Sequence, residues 1–301
     1  MAPRIHDGVW DLVGETPLVR LKVIPSADGA EVCAKLESKN PSGSVKDRPA
    51  WAMIRDAEER GALRTGATLV EATSGNTGIS LAMLASVRGY ACVLVMPEDM
   101  ASARQWILRA YGAEVVLTPA EHGMRGAVDE AERIMRRTKR AWMPRQFENP
   151  ANPRAHEETT AREIWDATGG RLDAIVVGVG TGGTLVGVAR GLRARRARPH
   201  VVAVEPRASA VLSGGEPGLH AIQGLGAGFI PPVLDRALID EVIAVSDPEA
   251  ERMTTRLARE EGLFVGPSSG ANVHAAALVA ARMRPGQRVV TILCDTGERY
   301  Q

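Results

Sequence analysis

Short apolar runs alternate with segments of helical period almost from end to end of the chain. Positions 68–72 predict a strand, after which Ile79, Ala82, Met83 and Val87 fall on one face of a helix that stops near Gly89. A second strand is expected over 91–96, then a helix through Ile107, Leu108 and Tyr111 ending at Gly112, then a strand over 114–117. Further strands are expected over 174–179 and 200–205, with a helix over 185–193 between them, and a last buried strand over 287–293. Ser246-Asp-Pro-Glu249 has capping-box spacing and starts a helix that runs to Gly262. Strand–helix alternation at this spacing means βαβ units. The fold class is therefore α/β, with two lobes, each a mostly parallel twisted sheet flanked by helices. The units cluster near 50–145 and 170–300, and the polar, Pro/Asn-rich stretch 146–153 is the crossing between them. Ligands of such sheets sit beyond the carboxyl ends of strands, so the loops there are where chemistry is to be sought.

Composition narrows the class without naming it. Apolar residues make up 45% and charged residues 24% of the 301, as in an ordinary globular protein. The formal net charge of +1 gives no field to recruit nucleic acid or an acidic membrane. Five lysines (Lys22, Lys35, Lys39, Lys46 and Lys139) leave 32 arginines among the 37 basic residues, so each lysine can be considered singly. Cys33, Cys92 and Cys294 are odd in number and far apart, which argues against a disulfide framework or a zinc site and for buried, inert thiols in a reducing compartment. The six histidines have no metal-ligand spacing, so no metal is expected. No charged-then-apolar leader opens the chain, and no apolar run approaches the ~18 residues of a membrane span. A cytoplasmic protein is expected.

Three loops carry candidate chemistry. Gly178-Val-Gly-Thr-Gly-Gly-Thr184 follows an apolar strand and opens a helix, with glycines for close approach to an anion and Thr181 and Thr184 as hydroxyl donors. Gly178, Gly180 and Gly183 fit G-x-G-x-x-G, and Glu205 follows at the end of the next strand, which is the dinucleotide fingerprint. The same strand–loop–helix would serve any phosphate, and it leaves nicotinamide and pyridoxal cofactors level. The loop holds no lysine, which excludes the nucleotide-triphosphate P-loop. Asn40-Pro-Ser-Gly-Ser-Val-Lys-Asp-Arg-Pro49 sets Lys46 in a glycine/serine loop before a helix beginning near Pro49. Such an amine suits capture of a carbonyl group. Thr73-Ser-Gly-Asn-Thr-Gly78 lies between a strand and a helix and offers hydroxyls, an amide and backbone N–H groups to a carboxylate. A phosphate cradle, a carboxylate cradle and one unusual lysine describe a pyridoxal enzyme better than a dehydrogenase.

With these motifs in hand, the chain resembles the cysteine synthase (O-acetylserine sulfhydrylase) group of fold-type II pyridoxal-phosphate enzymes, which share a tryptophan synthase β-like fold. The resemblance runs from Gly14-Glu-Thr-Pro-Leu18 through 40–48, 73–79, Gln146-Phe-Glu-Asn-Pro150, the loop at 180–184, 222–231 and Gly266-Pro-Ser-Ser-Gly270 to Gly297-Glu-Arg-Tyr300. It implies a larger domain of 1–40 with 147–301 that binds the cofactor phosphate. A smaller mobile domain, 41–146, would carry Lys46 and the substrate-carboxylate loop. It implies that Lys46 holds pyridoxal 5'-phosphate and later shuttles the α-proton, and that Asn76 bonds the ring hydroxyl. Gly180, Thr181, Gly182, Gly183 and Thr184 would hold the phosphate, and Ser268 would face the ring nitrogen. Thr73, Ser74, Thr77 and Gln146 would bind the substrate carboxylate, and Gly224 would line the acyl pocket.

The implied reaction makes L-cysteine from O-acetyl-L-serine and sulfide, in a homodimer, with the C-terminal peptide of serine acetyltransferase as a possible partner. The family usually continues past Gly-Glu-Arg-Tyr, whereas this chain stops at Gln301, and Pro267 replaces a small or aliphatic residue and should stiffen its turn. Asp47-Arg48 and Cys294-Asp-Thr resemble the B-type isozymes, and 224–231 with the Gly-Thr-Gly-Gly loop the A-type. Phosphoserine as donor would call for an arginine in the acyl pocket, and 224–230 supplies none. A cystathionine β-synthase usually has an acid-aromatic pair where this chain has Ala227-Gly228. From another class, a nicotinamide-dependent dehydrogenase stays open through Gly178, Gly180, Gly183 and Glu205.

Overall fold

The structure, a computed structural model, describes residues 5–24, 28–73 and 75–300. Its strands are β1 (Leu18–Arg20), β2 (Glu31–Leu36), β3 (Thr68–Ala72), β4 (Ala91–Pro97), β5 (Glu114–Thr118), β6 (Ala141–Trp142), β7 (Ala174–Gly178), β8 (His200–Pro206), β9 (Glu241–Val245) and β10 (Arg288–Leu293). Its α-helices are α1 (Asp47–Glu59), α2 (Asn76–Arg88), α3 (Ser102–Ala110), α4 (Gly123–Arg137), α5 (Ala151–Ala155), α6 (Ala161–Ala167), α7 (Gly183–Ala194), α8 (Asp247–Glu260) and α9 (Pro267–Ala281). A π-helical turn, His156–Thr160, joins α5 to α6. No described helix is long and apolar enough to cross a membrane.

Two compact units divide the chain. The first comprises Asn40–Ala151 with the described residues up to Val13, and holds the parallel sheet β5-β4-β3-β6. Its two central strands are buried on both faces, which is why they read as continuous apolar runs. Leu69, Leu94 and Met96 face Ala50 and Ile54 of α1, a run of α2 and Leu108 of α3, while Val70, Val93 and Val95 face Ala127 and Ala131 of α4. The described residues 5–13 fall in this unit and not with the C-terminal part, where the division read from the sequence put them. The rings of Trp10 and Trp51 lie 6.3 Å apart, and the Arg88 guanidinium sits 5.3 and 5.7 Å from them. Cation–π contact and apolar burial thus fix the N-terminal segment.

The second unit, Gly14–Lys39 with everything from Asn152 onward, holds the sheet β1-β2-β10-β7-β8-β9, parallel except for the β1–β2 pair. Val32, Val176, Val202 and Val289 pack against Met253 and Leu257 of α8 and Ala271, Ala275 and Val279 of α9. Ser246 and Glu249 form the expected capping box, and their hydrogen bonds hold the Glu249 carboxyl down at about 2. Cys33 and Cys92 are buried, and burial pushes the Cys92 thiol up to about 12, so both are inert as expected; Cys294 is only half-buried.

Lys35 on β2 is fully buried, its Nζ 2.6 Å from Glu163 of α6 and 2.5 Å from the Thr16 carbonyl. Glu163 also accepts the Glu15 N–H at 3.1 Å, so this pair ties the 14–16 turn to the sheet. Removing one partner strands a charge in the interior. Lys35→Met is expected to lower stability by about 3–5 kcal/mol in urea unfolding, and the apolar double replacement Lys35→Met/Glu163→Leu to recover most of it. A single variant as stable as the parent would contradict this.

Candidate active site

In the first unit the loop 40–46 runs into α1. Lys46 is the last residue before the helix and is half-buried; its N–H donates to Ser44 Oγ at 3.3 Å, and its carbonyl accepts from Ala50 N at 3.0 Å. What anchors this loop is the following residue. Asp47 is fully buried at the first position of α1, where the helix dipole favours an anion. Its Oδ2 accepts the Ser42 N–H at 2.7 Å, its Oδ1 accepts the Ser80 hydroxyl at 2.5 Å, and the Ser42 hydroxyl donates to it as well. Ser80 lies one turn into α2, with its Oγ 3.1 Å from the Asn76 carbonyl. Asp47 therefore ties the lysine loop to the first turn of α2, which carries Asn76 and Thr77.

The loop between β3 and α2 is held at its start by the Thr73 N–H, 3.0 Å from the Val95 carbonyl, and by Thr73 Oγ1, which accepts from Gly75 N at 3.3 Å. Thr77, buried in the first turn of α2, donates its hydroxyl to Gln146 Oε1 at 2.7 Å across 69 residues of chain. Two of the residues expected to bind one carboxylate are thus brought together. With its oxygen on Thr77, Gln146 presents its NH2 group as the donor end. Ser74, the remaining residue of that set, lies outside the described residues.

The second unit builds the other expected cradle. β7 ends at Gly178 and α7 begins at Gly183, with Gly182 at φ +84 turning the chain into the helix. A Cβ on Gly180 would stand 2.2 Å from the Gly224 carbonyl oxygen, so only glycine permits this approach. Ser268 is buried in the first turn of α9, its Oγ 3.8 Å from the place a Cβ on Gly224 would occupy. Gly180, Gly224 and Ser268 therefore lie close together. The segment expected as a stiffened turn is instead the start of α9: Pro267 takes the first helical position, where its missing N–H costs nothing.

Four residues outside the expected set organise these cradles. Asp47 and Ser80 do so in the first unit. In the second, Asn152 Nδ2 donates to Thr181 Oγ1 at 3.0 Å, and the Gly183 N–H reaches the same oxygen at 3.3 Å. His156, on the π-helical turn, has Nε2 3.2 Å from Thr184 Oγ1 and Nδ1 2.9 Å from Thr160 Oγ1. Thr181 and Thr184 are thereby fixed at the start of α7, where helix N–H groups have no partner within the helix. Asn152 was visible only as part of a Pro/Asn-rich crossing, and His156 only as a histidine without metal spacing.

The dinucleotide alternative loses its acid. Glu205, the acid of the dinucleotide reading, is 1% exposed, and its carboxylate is already engaged. Oε2 accepts Leu212 N at 2.7 Å, and Oε1 accepts Ser213 N at 3.0 Å and Ser213 Oγ at 2.5 Å. It holds the turn after β8 and cannot also grip a ribose.

The profile of the family described as pyridoxal-phosphate dependent enzyme matches residues 9–295. A cysteine synthase of Staphylococcus aureus is 48% identical over 301 residues, all of this chain and 97% of that protein. Among solved structures, a cysteine synthase of Entamoeba histolytica superposes with a TM-score of 0.94 at 38% identity, covering all of this chain and 90% of the other. An O-ureido-L-serine synthase superposes with a TM-score of 0.95 at 45% identity, covering 99% and 94%.

If Asp47 is the anchor, Asp47→Ala takes the carboxylate acceptor from the Ser42 N–H and leaves the Ser80 hydroxyl to the Asn76 carbonyl alone. Amide hydrogen exchange over 42–47 should rise about tenfold or more while β3 and β4 keep their protection. Unchanged exchange in that loop would remove Asp47 from the account.

Proposed function

The chain belongs to the pyridoxal-phosphate dependent enzyme family, and from that premise we propose that it makes L-cysteine, replacing the acetoxy group of O-acetyl-L-serine with sulfide. The observation that carries the reading is the Asp47–Ser80 hydrogen bond, which places Lys46 and the Asn76–Thr77 turn on one anchored segment. An amine and a carboxylate-binding set on a common support are what a reaction at an amino acid's α- and β-carbons needs. The cysteine synthase named above, 48% identical over the whole chain, supports the choice of product.

The residues fit the cofactor. Thr181, Gly183 and Thr184 at the start of α7 present backbone N–H and hydroxyl groups, a donor set suited to a phosphate dianion. Lys35 is committed to Glu163, Lys22, Lys39 and Lys139 are exposed, and Lys46, half-buried before α1, is the amine left for an aldehyde. When bound, the cofactor supplies that aldehyde and a ring system able to take up the electron pair released at the substrate's α-carbon.

The chain's own residues then divide the work. Lys46 is the residue that would hold the cofactor through its Nζ, and the same amine, once free, would accept the α-proton of the substrate. Thr73, Ser74, Thr77 and Gln146 bind the substrate carboxylate, which fixes the α-carbon relative to that amine. The Cβ–O bond would break with acetate leaving with the bonding pair, sulfide would form the new bond to Cβ, and Lys46 Nζ would return its proton to Cα, so that the net change is acetoxy replaced by thiol. Asn76 would orient the ring through its hydroxyl, and Gly180, Thr181, Gly182, Gly183 and Thr184 would hold the phosphate. Ser268 would meet the ring nitrogen with a neutral hydroxyl, and so would give a weaker electron sink than a carboxylate partner. Gly224 leaves room for the acyl group.

The assembly that goes with this reading is a homodimer in the cytoplasm. A serine acetyltransferase C-terminal peptide, which ends in a carboxylate, would compete for the Thr73 to Gln146 set.

Visible absorption of the purified holoenzyme tests the reading. O-acetylserine should change the spectrum, O-phosphoserine should not, and added sulfide should restore it with release of cysteine. A response to O-phosphoserine alone, or none to either donor, would overturn the assignment.

A further inference from the structure

Glu71 is a buried acid that the reaction does not use. It sits on β3, two residues before Thr73, and is 5% exposed. Its Oε2 accepts the Arg145 N–H at 3.2 Å across 74 residues of chain, and the Gln146 N–H also bonds to it. Arg145 has φ +53, a left-handed conformation that residues with side chains rarely adopt and that surroundings must hold. The rest of the turn is fastened to the same residue: the Arg145 carbonyl accepts from Glu148 N at 2.9 Å and Asn149 N at 3.0 Å, and its guanidinium reaches Glu132 of α4 at 2.7 Å. The next residue is Gln146, whose Oε1 takes the Thr77 hydroxyl.

We infer that Glu71 is a positioning residue for the substrate carboxylate: its charge grips the left-handed turn at Arg145 and so aims Gln146. The inference rests on the proposal that Gln146 and Thr77 bind that carboxylate.

The grip depends on ionisation. Burial raises the Glu71 carboxyl to about 7, against the opposing pull of the Arg145 and Gln146 N–H groups and the Arg145 guanidinium, with Glu148 adding to the rise. Among neighbouring elements, β4 faces Glu71 with Leu94, and the one charged residue of α2, Arg88, is paired with Glu58. Asp56 and Arg60 of α1 line a cleft with Arg145 and Glu148, and Glu132 of α4 acts through Arg145. Hydrogen bonds to a carboxylate are roughly twice as strong as those to a neutral carboxyl. The turn is therefore held firmly above pH 7 and loosely below it.

Stability runs the other way. An acid whose folded value is raised from 4.5 to about 7 favours the fold below about 4.5, and that contribution is lost as the pH climbs through 7. Glu71→Gln is thus expected to fold at pH 8.

The test is the ratio of KM for O-acetylserine in Glu71→Gln holoenzyme to that in the parent, followed from pH 6 to 9. The ratio cancels the titration of the substrate's own amine. It should lie near one at pH 6 and rise to about five- to tenfold above pH 8, with kcat within about twofold throughout. A ratio flat with pH, or a fall in kcat with KM unchanged, overturns the inference. Gln146→Ala run alongside separates the two readings: if it leaves KM unchanged, the carboxylate site itself is wrong, whereas a raised KM with a flat Glu71→Gln ratio condemns the Glu71 role alone. Should Glu71→Gln not fold, hydrogen exchange over 143–149 in the parent decides. After correction for intrinsic rates, protection must be greater at pH 8 than at pH 6, and equal protection refutes the grip.

Discussion

Backbone N–H groups at the start of a helix have no carbonyl to pair with inside that helix, and a parallel sheet feeds each strand into such a start. The chemistry of this chain depends on that constraint. At the end of β3 the chain turns through Thr73 into α2, and at the end of β7 it turns through Gly180 into α7. Each turn sets the positive end of a helix dipole beyond the sheet, one suited to a carboxylate and the other to a phosphate.

Donors alone do not make a site, because a glycine- and serine-rich turn has many conformations to lose. Buried polar side chains from elsewhere in the chain remove that freedom. Asp47 fastens the lysine loop to α2, Glu71 fastens the turn before Gln146, Asn152 and His156 fasten the two threonines between β7 and α7, and Glu205 fastens the turn after β8. None of these side chains needs to touch a substrate. Each is buried where an unpaired polar group would be costly, so the contacts that satisfy it also specify one loop conformation.

Local signals were legible in the sequence. The apolar runs at β3, β4, β5, β7, β8 and β10 mark the strands, Gly89 and Gly112 mark helix ends, and Ser246 with Glu249 marks the start of α8. β2 escaped because Lys35 interrupts its pattern, and that lysine is tolerated in a core strand only through Glu163, 128 residues away. β1, β6 and β9 are short or at sheet edges, where burial is partial. The buried positions of α4 are the small Ala127 and Ala131, and α9 is apolar on nearly every side behind a Gly-Pro-Ser-Ser start that reads as a turn. The same division holds for the site. Lys46 and the two glycine-rich loops stand out as contiguous motifs, whereas the groups that hold them are pairs distant in sequence. Glu205 shows the reverse error, since its spacing matched a fingerprint whose acid has other work in this fold.

The proposed activity depends on one bond, between the Lys46 side-chain nitrogen and the aldehyde carbon of pyridoxal phosphate. Borohydride reduction of the holoenzyme followed by peptide mass mapping reads it directly. The modification should fall on the peptide containing Lys46, with Lys35 and the remaining lysines unmodified. A reduced adduct on another lysine, or none at Lys46 in fully loaded protein, would contradict the mechanism.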